Sequence, residues 1–252
     1  MQNDGLFRTM ERFQHRSTFY KSMRYDARAC EDLVEMMWKD PDALIEGGSK
    51  LTRKKCVRTT VAFESTNDRY VVKRHLERSW RHIVKQWFCI SRAEKCWRDT
   101  NFLVEHGYPT PRPIAYYEQR FGGLRGNSYY VYEFVQGQTL RSIASPLKNQ
   151  RLLRKYVRQL CEIWRLNWEL DVNLHDGHPD NFVVAPSGKM WVIDLDKLQR
   201  LNGQSAHSKR ERLIESFMKT LTGVFGDFRV VNYGEQKISE MFNAADILGK
   251  AA

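Results

Sequence analysis

Three residues in the second half of the chain have the types and the order that phosphoryl transfer requires. Asp176 and Asn181 lie five positions apart, and Asp194 follows after two short apolar runs. The transferred group is highly charged, so its site needs metal ions on oxygen ligands and a carboxylate that orients the attacking hydroxyl group. Asp176 suits the orienting role, whereas Asn181 and Asp194 suit the ligation of Mg²⁺, which prefers oxygen donors. The spacing therefore predicts a phosphoryl-transfer site.

The same residues also have a purely structural interpretation. Asp176 and Asp180 are typical of Asx turns, and Asn181 is of a type that often stabilises a loop. The complete ordered set, ending in Asp194, favours the functional interpretation over this one. For Asp196 two roles stay open, either added charge near the metal ions or the cap of the next turn.

A long helix and a hairpin are predicted to hold this site. The helix is expected over Arg151–Leu170, where apolar residues follow a helical period. Two short apolar strands, Asn181–Val184 and Met190–Ile193, flank the turn Pro186-Ser187-Gly188. A second helix is predicted over His207–Thr222. The second half of the chain is thus expected to be mostly helical.

Several segments of the first half are rich in the β-branched and aromatic residues that favour strands. They predict strands at Cys56–Phe63, Arg69–Lys73, Ile114–Gln119 and Ser128–Val135, and a further strand near Leu44–Ile45. Two helices are predicted among them, Ala29–Trp38, which ends before Pro41, and Ser91–His106. Ser91 is expected to be the N-cap of the second helix, with Glu94 at the capping-box position.

These elements predict an α+β fold with two lobes and a cleft, a usual place for a ligand. The predicted divisions are an N-terminal extension over residues 1–42, a β-rich N-lobe over residues 43–135 and a helical C-lobe over residues 136–252.

The motifs resemble those of a known superfamily. Asp176 and Asn181 followed by Ile193-Asp194 resemble the catalytic and metal-binding loops of protein-kinase-like enzymes. More narrowly, the chain resembles the bacterial lipopolysaccharide core kinases, which phosphorylate heptose or Kdo sugars of the inner core. That resemblance rests on Ser91-Arg92-Ala93 with Trp97, on Gly107-Tyr108-Pro109-Thr110-Pro111-Arg112-Pro113, and on Ile193-Asp194-Leu195-Asp196, and it covers roughly residues 44–222.

The resemblance implies further site residues. Lys73, in the run Val71-Val72-Lys73, would hold the α- and β-phosphates of ATP. The superfamily pairs this lysine with a helix glutamate, for which Glu94 is the main candidate and Glu105 the alternative. Glu133 and Val135 fall where the superfamily hydrogen-bonds adenine through its backbone. The implied cofactors are ATP and Mg²⁺.

The sequence departs from the superfamily pattern at two places. It has no G-x-G-x-x-G, and Gly47-Gly48-Ser49-Lys50 is the glycine-rich turn that precedes the predicted hairpin. Gly47 and Gly48 are expected either to cradle phosphate through backbone N–H groups or to form an ordinary surface turn. The usual His-x-Asp is replaced by Leu174-His175-Asp176, which alters the internal support of the loop but keeps its carboxylate.

Composition limits the class of protein and its partners. The 252 residues are 42% hydrophobic and carry a net charge of +11, which favours an anionic partner such as a nucleotide or a phosphate-bearing lipid surface. The five cysteines have no paired spacing, so reduced thiols in a cytosol are expected. No apolar run approaches the length of a membrane span. We expect a cytoplasmic protein, either free or peripheral on the inner membrane.

Cations alternate with aromatic rings over Lys73–Arg98. This pattern suits an anionic membrane surface or a phosphorylated glycolipid, and it is also compatible with single-stranded nucleic acid. The alternative is that the rings are core residues and the cations form a solvated face.

Three functional hypotheses follow. The first is an ATP-dependent kinase acting on a heptose or Kdo hydroxyl of lipopolysaccharide, with that anionic glycolipid as partner and no nucleic acid expected. The second is a related kinase acting on a protein or another small hydroxylated acceptor. The third is an inactive kinase-like or basic binding module, which the Asp176, Asn181 and Asp194 set disfavours.

Overall fold

The computed structural model describes residues 12–54, 57–64, 69–75, 90–144, 149–175, 177–225 and 228–249. The chain divides into two compact units. The first contains the chain up to Glu105 together with Pro111–Phe134, and the second contains His106–Thr110 and the chain from Val135 onward. The division at Phe134 separates a β-rich unit from a mostly helical one, so the predicted α+β class is confirmed.

The first unit is built on an antiparallel sheet of seven strands in the order β1-β2-β6-β7-β5-β4-β3. Its strands are β1 (Phe13–Ser17), β2 (Lys21–Asp26), β3 (Ser49–Lys54), β4 (Val57–Glu64), β5 (Arg69–His75), β6 (Pro113–Phe121) and β7 (Leu124–Glu133). Strands β5, β6 and β7 lie in the middle of the sheet. Helices pack against both faces of the sheet, so side chains on both sides of these strands are covered.

Helices cover the two faces of this sheet. Helix α1 (Glu31–Lys39) and helix α2 (Pro41–Gly47) pack in one apolar cluster with Val72 of β5 and Val131 of β7. Helix α3 (Arg92–Glu105) lies on the other face. The alternation of side chains along each strand therefore decides which cluster a residue joins.

Two segments of the first unit differ from the sequence-based expectation. The strand predicted near Leu44–Ile45 is wrong, because these residues lie in α2. The side chain of Asp40 accepts hydrogen bonds from the N–H groups of Asp42 and Ala43, and Pro41 occupies the first turn. This is a helix start signal. Residues 13–26, within the segment set apart as an extension, contribute β1 and β2 to the sheet.

The second unit is mostly helical. Its helices are α4 (Leu140–Ala144), α5 (Gln150–Glu169), α6 (Ala206–Val224) and α7 (Phe228–Gly249). Its short strands are β8 (Gln138–Thr139), β9 (Val172–Leu174), β10 (Phe182–Val184), β11 (Met190–Val192) and β12 (Leu198–Arg200). Strands β11, β10 and β8 form one small sheet, and β12 pairs with β9.

The long helix α5 carries the core of this unit. Trp164 is fully buried, with its ring centroid 6.0 Å from that of Phe182 and 5.3 Å from that of Phe217. These contacts join α5 to strand β10 and helix α6, so the strand that leads out of the predicted catalytic loop is fixed by aromatic packing. Among the described residues, no helix has the length and apolar character needed to cross a membrane.

Candidate active site

The hairpin of β10 and β11 brings Asn181 and Asp194 to the same end. Phe182 lies opposite Val192 in the register, and the N–H of Ile193 donates to the carbonyl oxygen of Asn181 over 2.8 Å. Asp194 is the next residue along the chain. An amide oxygen and a carboxylate oxygen therefore emerge from neighbouring backbone positions. This donor set fits a hard divalent cation such as Mg²⁺.

Asp194 adopts an unusual backbone conformation. Its φ is +61°, in the left-handed region that residues other than glycine rarely adopt. Aspartate tolerates this region better than most residues, since its short side chain can bond locally. Such a conformation, two residues after the end of β11, is typical of a functional position held in place by the surrounding structure.

The loop before Asn181 is anchored to helix α6. Asp176, the predicted catalytic base, lies outside the described residues. Directly after it, the hydroxyl of Thr220 donates to the carbonyl oxygen of Gly177 over 2.7 Å. A Cβ atom at position 177 would lie 2.2 Å from that hydroxyl oxygen, so a side chain there would force either the Thr220 side chain or the loop to move and would break their hydrogen bond.

Charged side chains surround the short 3₁₀ turn Pro179–Asn181. His178 Nδ1 lies 3.2 Å from a carboxylate oxygen of Asp180. Arg141 of α4 lies 3.4 Å from both His178 Nε2 and Asp180 Oδ1. The N–H of Asn181 donates to the carbonyl oxygen of His178 over 2.8 Å. These contacts position the turn that ends at the candidate metal ligand.

In the first unit, Lys73 lies in β5 and is only 5% exposed. Val71, two residues earlier and so on the same face of the strand, packs in a cluster with Ala93 and Trp97 of helix α3. Lys73 also lies opposite Tyr130, another member of this cluster. The lysine is therefore on the sheet face that α3 covers, which is the face on which a helix glutamate would meet it.

Glu94 lies on α3 and is 5% exposed. Its N–H donates to the Ser91 hydroxyl over 3.1 Å, so the predicted N-cap is confirmed. Its carboxylate contacts Arg98 at 2.5 Å and Arg125 of β7 at 3.0 Å. The pairing of Glu94 with Lys73 stays a prediction. Glu105, the alternative, lies 3.5 Å from Arg12.

Sequence reasoning missed a second buried carboxylate on this face. Glu118 of β6 is fully buried and contacts Arg120 at 2.5 Å and Arg125 at 3.2 Å. Arg125 thus bridges Glu118 and Glu94, joining the sheet to α3. In the sequence, Tyr116 and Glu118 are two positions apart and so lie on the same face of a strand. This pattern indicates a buried carboxylate only if β6 is known to be a central strand.

The other predicted nucleotide-binding residues lie at or next to the ends of elements. Gly47 is the last residue of α2, and Gly48 is its C-cap. A helix C-terminus exposes carbonyl oxygens, so N–H contacts to phosphate would begin at Gly48. Glu133 ends β7, where its N–H donates to the carbonyl oxygen of Arg112 over 3.0 Å. Val135 follows Phe134, the last residue of the first unit, and belongs to the second unit.

Most of the basic-aromatic stretch lies outside the described residues, which omit 76–89. Within its described part, Trp97 is a core residue at 4% exposure. Its ring centroid lies 4.7 Å from that of Phe13. Lys95 and Arg98 pair with acidic residues one helical turn away on α3. For these residues the structure agrees with the interpretation of core rings and solvated cations.

The comparisons with known proteins agree with the motifs. The model of the lipopolysaccharide kinase (Kdo/WaaP) family matches residues 43–238, a range that contains every candidate site residue named above. A search of curated proteins finds no match to this chain.

Proposed function

The chain belongs to the lipopolysaccharide kinase (Kdo/WaaP) family, and we propose that it transfers the γ-phosphate of ATP to a heptose or Kdo hydroxyl of the lipopolysaccharide inner core. Family membership makes the chain a kinase, a phosphotransferase with a hydroxyl acceptor, and confirms the expected kinase-like fold. The observation that carries the proposal is the joint placement of Asn181 and Asp194 by the Ile193 hydrogen bond.

The proposed roles follow from charge and position. Asp176 orients the acceptor hydroxyl and receives its proton as the oxygen attacks the γ-phosphorus. Lys73 binds the α- and β-phosphates, and Glu94 keeps its ammonium group in place. A lysine that is 5% exposed needs such compensation by an opposite charge.

Magnesium, when bound, would supply positive charge that offsets the charge of the phosphates. Asn181 and Asp194 would hold it. Backbone groups at Glu133 and Val135 bind adenine, and the backbone from Gly48 onward covers the phosphates. The +11 charge of the chain favours recruitment of an anionic glycolipid at the cytoplasmic face of the inner membrane.

Transfer of labelled γ-phosphate tests this proposal. The wild type and the variants Asp176→Asn and Asp32→Asn are incubated with ATP, Mg²⁺ and either dephosphorylated lipopolysaccharide core or a generic protein acceptor. We expect label on the glycolipid with the wild type, a loss of about 10³-fold or more with Asp176→Asn, and near-normal transfer with the control Asp32→Asn, which changes an exposed carboxylate on α1.

Two results would contradict the proposal. Label on the protein acceptor alone would move the assignment to a protein kinase. Failure of the wild type both to bind ATP and to label either acceptor would favour a basic binding module. Retention of ATP binding by Asp176→Asn is expected, because the substitution removes a carboxylate that contacts the acceptor rather than the nucleotide.

A further inference from the structure

Three aromatic side chains meet on the surface of the first unit. Phe19 and Tyr20 lie in the turn between β1 and β2, and Phe121 ends β6. They are 57%, 64% and 59% exposed. The ring centroid of Phe19 lies 5.2 Å from those of both Tyr20 and Phe121, and those of Tyr20 and Phe121 lie 6.0 Å apart. We call these three residues the aromatic tip.

The backbone holds the aromatic tip together. The N–H of Arg120 donates to the carbonyl oxygen of Tyr20 over 2.7 Å, and the N–H of Gly122 donates to that of Phe19 over 3.0 Å. Gly122 has a φ of +58°, and a Cβ atom there would lie 3.2 Å from the Phe19 ring. Backbone hydrogen bonds thus hold the two neighbouring turns together. The three rings are already positioned, so their binding to a partner costs little conformational entropy.

The aromatic tip is unusual for a solvated surface. In the described part of the chain, five large hydrophobic residues are exposed, and three of them form this tip; the others are Met36 and Ile90. Single exposed apolar residues need no explanation, whereas a contiguous group marks a site of interaction.

The charge around the aromatic tip is positive. The two turns, residues 16–21 and 119–125, contain Arg16, Lys21, Arg120 and Arg125 but no Asp or Glu. Glu118, which Arg120 and Arg125 contact, is fully buried beneath them. Arg16 contacts Glu35 of α1, and Arg125 also contacts Glu94. The four cations outnumber the three carboxylates that they contact, so the surface combines exposed rings with an excess of positive charge that suits an anionic partner.

We propose that the aromatic tip inserts into the headgroup region of an anionic lipid bilayer. Three rings of about 150–250 Å² each, little more than half exposed, offer about 300–400 Å², well below the roughly 800 Å² per partner of a stable protein interface. A bilayer accepts such a small apolar group, since rings lie at the headgroup level and cations interact with lipid phosphates. A membrane therefore fits this surface better than a second copy of the chain.

This inference extends the proposed function, because a glycolipid acceptor is itself held in a membrane. It concerns a surface formed by β1, β2, β6 and β7, and none of the proposed catalytic or nucleotide-binding residues belongs to the aromatic tip. Its test measures binding without turnover, so either the kinase assignment or the membrane contact can fail without the other.

Sedimentation with lipid vesicles tests the inference in the absence of ATP. The wild type is compared with Phe19→Ser/Tyr20→Ser/Phe121→Ser on vesicles of phosphatidylcholine alone and on phosphatidylcholine mixed with phosphatidylglycerol. We expect the wild type to bind the anionic vesicles about tenfold more tightly than the neutral ones. The triple variant should bind the anionic vesicles about tenfold or more weakly than the wild type.

Matched variants separate the aromatic tip from general effects. Met36→Ser removes an exposed apolar side chain elsewhere on the first unit and should leave vesicle binding unchanged. Tyr20→Trp should tighten it, because tryptophan partitions strongly into the membrane interface. If circular dichroism shows that the triple variant is unfolded, the single variant Phe121→Ser takes its place, with an expected loss of about threefold.

Three results would overturn the inference. The first is equal binding of the wild type and the folded variant to anionic vesicles. The second is the absence of any binding by the wild type. The third is a wild-type dimer in analytical ultracentrifugation that the triple variant converts to monomer, which would assign the aromatic tip to self-association.

Discussion

Asp26, at the end of β2, shows how strongly one buried charge depends on its neighbours. Its side chain is fully buried, and it contacts Arg28 at 2.9 Å, Arg112 at 3.5 Å and Arg12 at 3.7 Å. Burial acts to raise the pKa of this carboxyl group. The hydrogen bonds from Arg28 and the charges of Arg28 and Arg112 outweigh burial, so the pKa of Asp26 is lowered in the folded protein.

We predict that Asp26→Asn lowers the free energy of unfolding at pH 7 by about 2–3 kcal/mol, since it leaves partly buried arginines without their shared carboxylate. The depressed pKa stabilises the fold above the pKa of the unfolded chain, about 3.9, and this contribution is lost as the pH falls through the folded value. The difference between wild type and variant should therefore shrink below about pH 4. Urea denaturation at several pH values measures it.

The control is Asp32→Asn, which changes an exposed carboxylate in the first turn of α1. It should alter stability by less than about 0.5 kcal/mol. A difference between wild type and Asp26→Asn that stays constant from neutral to acidic pH would contradict the assigned pKa shift.

At the scale of elements, the hydrogen bond from Thr220 of α6 to Gly177 anchors the loop that carries the proposed catalytic residue Asp176. We predict that Gly177→Ala lowers stability by about 1–3 kcal/mol and turnover by more than tenfold. The new Cβ atom would lie 2.2 Å from the Thr220 hydroxyl oxygen. Residue 177 would then have to shift, and Asp176 is bonded to it. Urea denaturation and the phosphate-transfer assay measure the two effects.

The double variant Gly177→Ala/Thr220→Ala removes the clashing oxygen and should recover part of the lost turnover. Gly123→Ala is the matched control, because a Cβ there would meet nothing within 4 Å. If Gly177→Ala were as active as the wild type, the position of the loop would not depend on its close contact with α6.

The link between β7 and helix α3 is a second contact at this scale. Arg125 contacts the buried carboxylates of Glu94 and Glu118 together. Arg125→Gln should cost about 2–3 kcal/mol, because both carboxylates lose one charged partner in a buried setting. Arg98→Gln, which removes the exposed partner of Glu94, should cost less than about 1 kcal/mol. Equal losses in chemical denaturation would show that burial does not distinguish these two ion pairs.

The elements also show what the sequence alone could predict. The α3 helix, the β6–β7 hairpin and the β10–β11 hairpin were predictable because their caps and turns are local signals, such as Ser91 and Gly122. Helix α2 was missed because Pro41 was taken as the end of one helix, although it also begins the next. Strands β1 and β2 were missed because their polar, basic sequences lack a clear apolar alternation.

In the candidate site, too, only the local features could be predicted from the sequence. The order of Asn181 and Asp194 is visible in sequence, whereas the hydrogen bond that aligns them and the left-handed conformation of Asp194 are properties of the folded hairpin. The contact from Arg125 of β7 to Glu94 of α3 joins residues 31 positions apart in the sequence, so no local pattern reports it.

At the scale of the whole molecule, the proposed function assigns nucleotide-binding and metal-binding roles to residues of both units. Lys73 belongs to the β-rich unit, whereas Asn181 and Asp194 belong to the helical unit. A ligand that binds only the folded chain stabilises it by mass action, by about 2.7 kcal/mol at one hundred times its dissociation constant. For a chain of this length, each kcal/mol corresponds to about 2–4 °C in Tm.

We therefore predict that a non-hydrolysable ATP analogue with Mg²⁺ raises the Tm of the wild type by about 5–10 °C, and that chelation of the metal removes most of this shift. Asp194→Asn should show a small shift that no longer depends on Mg²⁺. Asparagine tolerates the left-handed conformation at this position at least as well as aspartate, so the variant should fold normally and lose only the carboxylate. Differential scanning fluorimetry with and without chelator measures both proteins. A Mg²⁺-dependent shift of equal size in Asp194→Asn would place the metal on other residues, because a normal hairpin without this carboxylate would then bind it equally well.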